Sequence, residues 1–217
     1  MKNEGETVLM ETLLANQGFN DPASEDRIAR TVQALEANGI RTLVFENGEE
    51  ARAFVLEALP SQGEVYNPPS RTLDQIGLTE DIESSTSFQP LRSRLKSLDR
   101  ATQQGEIRKL TSSPDVVVAS VHAITEQGEV LVASASGSQL SSVVFGAGKV
   151  IWVAGTQKLV RTLDEGFRRI REYCYPLEDA RTRQVYGRPS AINKVLIVQG
   201  EQPGRITMVL VRRSLGF

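Results

Sequence analysis

Three short segments hold the residues best suited to chemistry. Ala123-Ile124-Thr125-Glu126-Gln127-Gly128 sets a carboxylate beside a glycine, Ser134-Ala135-Ser136-Gly137-Ser138 sets hydroxyls on flexible backbone, and Gly155-Thr156-Gln157-Lys158 supplies an amine. A glutamate closing an apolar strand suits a general base, a nucleophile or an anchor for a substrate hydroxyl. It equally suits a solvated charge at a hairpin tip. The serine loop precedes a short helical segment and so offers both hydroxyls and backbone N–H groups to a carboxylate or phosphate. Asn193-Lys194 and Arg205 flank the C-terminal strands and can bind an anion or pair on the surface. The candidate set is thus Glu126 as catalyst, with Gly128, Ser134, Ser136, Gly137, Ser138, Gly155, Lys158, Asn193, Lys194 and Arg205 as ligand-binding residues.

Other chemistries are excluded by composition. The single histidine, His122, rules out a two-histidine metal site, and the single cysteine, Cys174, rules out an internal disulfide, a multi-cysteine zinc site and a cysteine-held cluster. Neither a metal nor a cofactor is expected. His122 ends an apolar strand and Cys174 sits in Tyr173-Cys174-Tyr175, positions that suit packing. No phosphate-loop or dinucleotide fingerprint is present, and Gly146-Ala147-Gly148 reads as turn glycines feeding the next strand.

Several elements must position these loops. Ser24 caps a helix carrying Ile28, Val32 and Leu35, and Asn38-Gly39 stops it. Ile40 to Phe45 is a buried strand, Glu49 to Leu59 a helix, and Glu64 to Tyr66 a short strand. Residues 70 to 112 are mostly helical, with a break around Ser84 to Pro90. Asp115 to Val121 and Lys149 to Ala154 are apolar enough to be buried on both faces, which marks a parallel sheet. Gly128 makes a tight turn into Glu129 to Ala133. A helix over Thr162 to Tyr173 directs Leu163, Phe167 and Ile170 inward and its arginines outward. Val195 to Val198 and Arg205 to Val211 are joined through Gln202-Pro203-Gly204 as a C-terminal hairpin. This order predicts an α/β fold with a central, largely parallel sheet flanked by helices. Ligands in such folds collect beyond the carboxyl ends of the strands, so the segments ending at Val121, Ala154 and Val198 should bring the three loops to one rim.

At 217 residues the chain suits one large domain over residues 24–217, preceded by an arm over 1–23 with the amphipathic stretch Val8, Leu9, Leu13, Leu14. The start lacks a basic region followed by an apolar block, and no apolar run is long enough for a membrane helix, so a cytoplasmic location is expected. Charge is uneven: residues 1–90 carry 6 Lys and Arg against 16 Asp and Glu, and residues 151–217 carry 12 against 6. The basic end favours an anionic small molecule, an acidic partner surface or a sister subunit. Aromatic residues are only 6%, which argues against nucleic acid.

One combination of segments resembles a known family. Ala123-Ile124-x-Glu126-x-Gly128, the strand with Val150-Ile151-x-Val153, Val160 with the helix at Leu163, and the tail Arg205-Ile206 to Leu215-Gly216-Phe217 are similar to the lactate utilization (LUD) domain. The stand-alone type, lactate utilization protein C, is nearest in kind. The family shows Thr-Gly-Thr after the glutamate, where this chain has Gln127-Gly128-Glu129. The resemblance implies a fold like that of phosphosugar isomerases and CoA transferases. It also implies a role as an accessory or ligand-binding subunit in oxidising L-lactate to pyruvate, with the redox centres on one cysteine-rich and one iron–sulfur partner. The alternatives are a stand-alone enzyme of the isomerase or acyl-CoA transferase kind using Glu126, and a small-anion sensor.

Overall fold

The computed structural model describes residues 14–217. Val8, Leu9 and Leu13 of the expected arm lie outside the described residues, and Leu14 is exposed. Asn16 to Asn20 lie against the segment around Glu172 and Tyr173, through Asn16 N–H to the Glu172 carbonyl and the Tyr173 hydroxyl to the Asn20 amide oxygen.

A six-stranded sheet organises the molecule. It contains β1 (Arg41–Phe45), β2 (Glu64–Tyr66), β3 (Gln89–Pro90), β4 (Val116–Ala119), β7 (Lys149–Gly155) and β10 (Ile206–Val211), in the order β1-β10-β7-β4-β2-β3. Every pairing in it is parallel. Buried on both faces, β4, β7 and β10 alternate their side chains between two cores. Val116, Val118, Ile151, Val153 and Val209 face α2 (Gly48–Ala58), α3 (Arg71–Gln75) and α4 (Leu78–Ser84). Val117, Val150, Trp152, Ala154, Met208 and Leu210 face the other way, where α1 (Glu25–Ala37), α5 (Leu91–Ser97) and α6 (Gln104–Ser112) contribute Ile28, Leu35, Leu91 and Leu110.

A second sheet lies over that second core. It comprises β5 (Ala123–Thr125), β6 (Val130–Ser134), β8 (Leu159–Val160) and β9 (Lys194–Val198), in the order β8-β5-β6-β9. Ile124, Val130 and Val132 point toward the central sheet. Ala123, Leu131 and Ala133 point outward to α7 (Leu163–Arg169). From α7 the chain runs through a π-helical turn, Ile170–Cys174, straight into α8 (Tyr175–Tyr186). The described residues include no helix long and apolar enough to cross a membrane.

Two expectations are corrected. The C-terminal hairpin does not form: β9 pairs antiparallel with β6 in the second sheet, whereas β10 inserts between β1 and β7 in the first. The local turn signal at Gln202-Pro203-Gly204 says nothing about pairing, and the wholly apolar β10 can bury both faces only in the central sheet. The helix also does not end near Cys174. Pro176 lies in the first turn of α8, just after the π-turn, where a missing N–H costs little.

Candidate functional site

A cavity of about 620 Å³ opens at the carboxyl ends of β2 and β4, between the central sheet, the second sheet and α8. This is the place where an open α/β sheet exposes its loops. Tyr66 and the loop Pro68 to Thr72 form one side and Ala119 to His122 the floor, while the serine loop and α8 close the other sides. Five arginines (Arg71, Arg92, Arg100, Arg181, Arg188) and two carboxylates (Asp74, Glu178) line it, an excess of positive charge. Three of the five are compensated, since Arg181 makes a two-point pair with Glu178, Arg92 pairs with Glu83 and Arg71 pairs with Asp74. The Trp152 indole N–H is fully buried in the cavity wall and has no protein acceptor.

Lys158 sits beneath the floor, fully buried. Its Nζ lies 3.0 Å from the Thr72 hydroxyl, 3.0 Å from the Ser120 hydroxyl, 3.0 Å from the Val121 carbonyl and 3.2 Å from the Phe217 main-chain oxygen. None of these partners is a carboxylate side chain. Burial first, and Arg169 second, push its ammonium down to about 7, against an opposing effect of Cys174. Arg169 is also fully buried. It donates to the carbonyls of His122 and Gln157 and to Cys174 Sγ, and it stacks over Tyr173. Its Nη2 has no partner. Two basic side chains therefore lie buried behind one wall of the cavity with no side-chain carboxylate bonded to either, an arrangement that favours a negative charge in the space beside them.

His122 ends the strand segment on the same floor. Its Nδ1 accepts the Ala133 N–H at 3.1 Å, which fixes the neutral tautomer with the proton on Nε2. Burial, then Lys158 and Arg169, push its imidazole down to about 3. Burial pushes the Cys174 thiol up, so it stays protonated.

The expected candidates divide into four groups. Ser134, Ser136 and Ser138 line the cavity, and the Tyr66 hydroxyl reaches Ser138. Gly137, in the left-handed region, donates its N–H to Ser134 Oγ. Asn193 and Lys194 brace this loop from behind: Asn193 Nδ2 donates to the Ala135 carbonyl, and the Lys194 stem lies where a Gly137 side chain would go. Lys158 underlies the floor, and Gly155 is pressed against the backbone of Arg213 and Leu215.

Glu126, Gly128 and Arg205 are elsewhere. The expectation that Glu126 stands beside Ser138 and Lys158 is corrected, because the β5–β6 hairpin points its tip at α1. There Glu126 accepts from Arg27 Nε at 2.9 Å and Arg30 Nε at 3.2 Å. Burial opposes ionisation, but the hydrogen bonds and charges of Arg30 and Arg27 outweigh it and hold the carboxyl below its ordinary value. Gly128 touches the Ala34 backbone and Asn38. Arg205 lies at the amino end of β10, bonded to Glu201 and to the carbonyls of Val143 and Ala147. Replacing Glu126 by Gln removes a partly exposed pair. It should cost about 1 kcal/mol or less, seen in urea unfolding, and should leave ligand-induced stabilisation at the cavity unchanged.

Residue-type reasoning passed over Ser120, Thr72 and Arg169. Ser120 directly follows a strand buried on both faces, a position the carboxyl-end rule singles out. Arg169 belongs to the inward stripe of its helix, three residues after the buried Gly166 and four before the buried Tyr173. It does not face outward with its neighbours.

Comparison with known proteins adds to this geometry. A family model described as the LUD domain matches residues 28–212. Among solved structures, the chain is similar to a DUF162 family protein from Deinococcus radiodurans. The two share 14% identity over 88% of this chain and 99% of that one, with a TM-score of 0.55. At that identity the likeness concerns the fold. No curated protein matches.

Proposed function

Given that the chain belongs to the LUD domain family, which implies involvement in lactate utilization, we propose that it serves L-lactate oxidation as an anion-binding component holding a small carboxylate in the arginine-lined cavity. The observation that carries this reading is the pair of buried basic side chains, Lys158 and Arg169, behind one wall of a cavity lined by five arginines and two carboxylates. An anion there gains from a low-dielectric setting and satisfies donors such as the Trp152 N–H. The oxidation itself falls to a cysteine-rich and an iron–sulfur partner, because one cysteine cannot hold a cluster. Arg161 just before α7, Arg168 within it, where it pairs with Glu172, and Arg171 in the π-turn after it are exposed and offer basic groups to such a partner.

Thermal shift tests the reading. A ligand at a hundred times its Kd adds about 2.7 kcal/mol, so L-lactate or pyruvate should raise Tm by several degrees. Arg100→Ala and Arg188→Ala should reduce that gain, because neither arginine makes an ion pair among the described residues. A bound anion also favours protonated Lys158, so binding near pH 7 should take up protons in calorimetry in buffers of different ionisation enthalpy. Absence of a shift with both acids, or equal shifts in wild type and variants, would overturn the proposal.

A further inference from the structure

We propose that Ser120 is a nucleophile and Lys158 its general base, giving the cavity acyl-transfer activity toward esters or thioesters that carry an anionic group. The inference rests on the same cavity as the anion-binding reading, but not on lactate as the ligand.

Four oxygens surround Lys158 Nζ, and the protons they share decide its role. The Val121 and Phe217 oxygens can only accept, so they take two N–H groups of Lys158. The remaining position faces the Ser120 and Thr72 hydroxyls, both at 3.0 Å. The Thr72 hydroxyl donates to the Leu215 carbonyl at 3.2 Å. That leaves the Ser120 hydroxyl as the group able to donate to Nζ when the amine is neutral. Its proton now points at the Val153 carbonyl, 2.7 Å away, and rotation about Cβ–Oγ swings it to Nζ without moving a heavy atom. Ser120 is half-buried and lines the cavity, whereas Lys158 is sealed from it. Nucleophile and base are therefore arranged as in serine–lysine catalysis, with the base protected from water.

The charged or titratable groups facing Lys158 are Arg169 and Cys174 from the α7–α8 helix and the main-chain oxygen of Phe217, the last residue of the sequence, whose carboxyl group favours the ammonium; His122 from the floor is in turn depressed by Lys158. Arg169 helps keep the amine neutral near pH 7, the state a base requires. The step balances without a cofactor. Ser120 Oγ gives its proton to Nζ and bonds to the acyl carbon, and the C–O or C–S bond to the leaving group breaks as Nζ returns that proton to it. Water then enters, gives a proton to Nζ and attacks the acyl carbon. Ser120 Oγ leaves with the proton, so one ester and one water yield an acid and an alcohol or thiol. The arginines select acyl groups that carry a second negative charge.

The test uses the whole chain with p-nitrophenyl hydrogen succinate as the anionic probe and p-nitrophenyl acetate as the neutral one. The expected result is release of p-nitrophenolate with a succinyl adduct on the Ser120 peptide by mass spectrometry, faster for the anionic probe. The rate should rise with pH to a plateau with a midpoint near 7. Ser120→Ala and Lys158→Met should each lower it at least a hundredfold, and Ser120→Cys should form a thioester adduct at the same position. Arg169→Gln should move the midpoint upward, a readout that mere packing damage would not produce. Folding of each variant is checked by its unfolding transition. An adduct confined to other residues, or a Ser120 adduct that persists at full rate in a folded Lys158→Met protein, overturns the inference. Stabilisation by lactate without any adduct would sink this inference alone. Adduct formation without lactate binding would sink only the lactate reading.

Discussion

On acidification from pH 6.5 to 3, the wild-type protein is expected to lose roughly 4 kcal/mol that a His122→Gln variant keeps. The native imidazole binds its proton only near pH 3, and the unfolded one binds near 6.5. Between those values the unfolded chain holds more protons, so stability is fully present above the upper value and drains away as pH falls to the lower. The cause is geometric. Nδ1 already accepts the Ala133 N–H, so a proton there would break that bond and place a charge among Lys158 and Arg169 in a buried wall. The substituted glutamine side chain keeps an acceptor for Ala133 and does not titrate. Carboxylates such as Glu126 and Asp179, held low by arginines, lose stability in acid in both proteins and cancel in the difference. Urea unfolding at several pH values between 7 and 4 measures it, and parallel curves for the two proteins would refute the assignment.

The second large effect is expected from Gly155→Ala. A Cβ at this position would lie 2.7 Å from the Leu215 N and closer still to the Arg213 carbonyl and the Gln157 side chain. The obstacle is mostly backbone, which cannot rotate away. Residues 213–217 must shift, and with them the bonds from Thr72 and Gln157 to the Leu215 carbonyl and from Lys158 to Phe217. Overpacking of this kind costs about 3 kcal/mol, which for a chain of this length lowers Tm by roughly 10 °C. Anion binding should weaken as well, since Phe217 lines the cavity. Gly105→Ala serves as the control: nothing lies within 4 Å of its added carbon, and in α6 it should be neutral or slightly stabilising. Equal Tm values for the two variants would show that the tail is not clamped by Gly155.

What could be read from the chain followed physical scale. The β4 and β7 runs announce burial on both faces, and a glycine at 128 announces a turn, which its positive φ bears out, so the central strands and the β5–β6 hairpin were legible. The serine loop was legible as a flexible, hydroxyl-rich segment ahead of a helical turn, and its serines line the cavity. Long-range pairing was not. Whether β9 joins β10 or β6 is decided by which core needs its apolar face. Glu126 looked exposed to ligand chemistry until Arg27 and Arg30, almost a hundred positions earlier, came to meet it. Ser120 and Thr72 are ordinary residues in sequence, and only the convergence of three segments on Lys158 sets them apart.

The position of β10 has a consequence for the order of biosynthesis. The strand that fills the gap between β1 and β7 is the last of the described strands to be made, and among the described residues β1 pairs with its sheet through that strand. A growing polypeptide on the ribosome therefore holds an unsealed apolar β7 edge until residues 206–211 emerge. The sheet closes only once those residues are available, by contacts between positions about 166 apart in the sequence, and such non-local pairing is a slow route to a finished sheet.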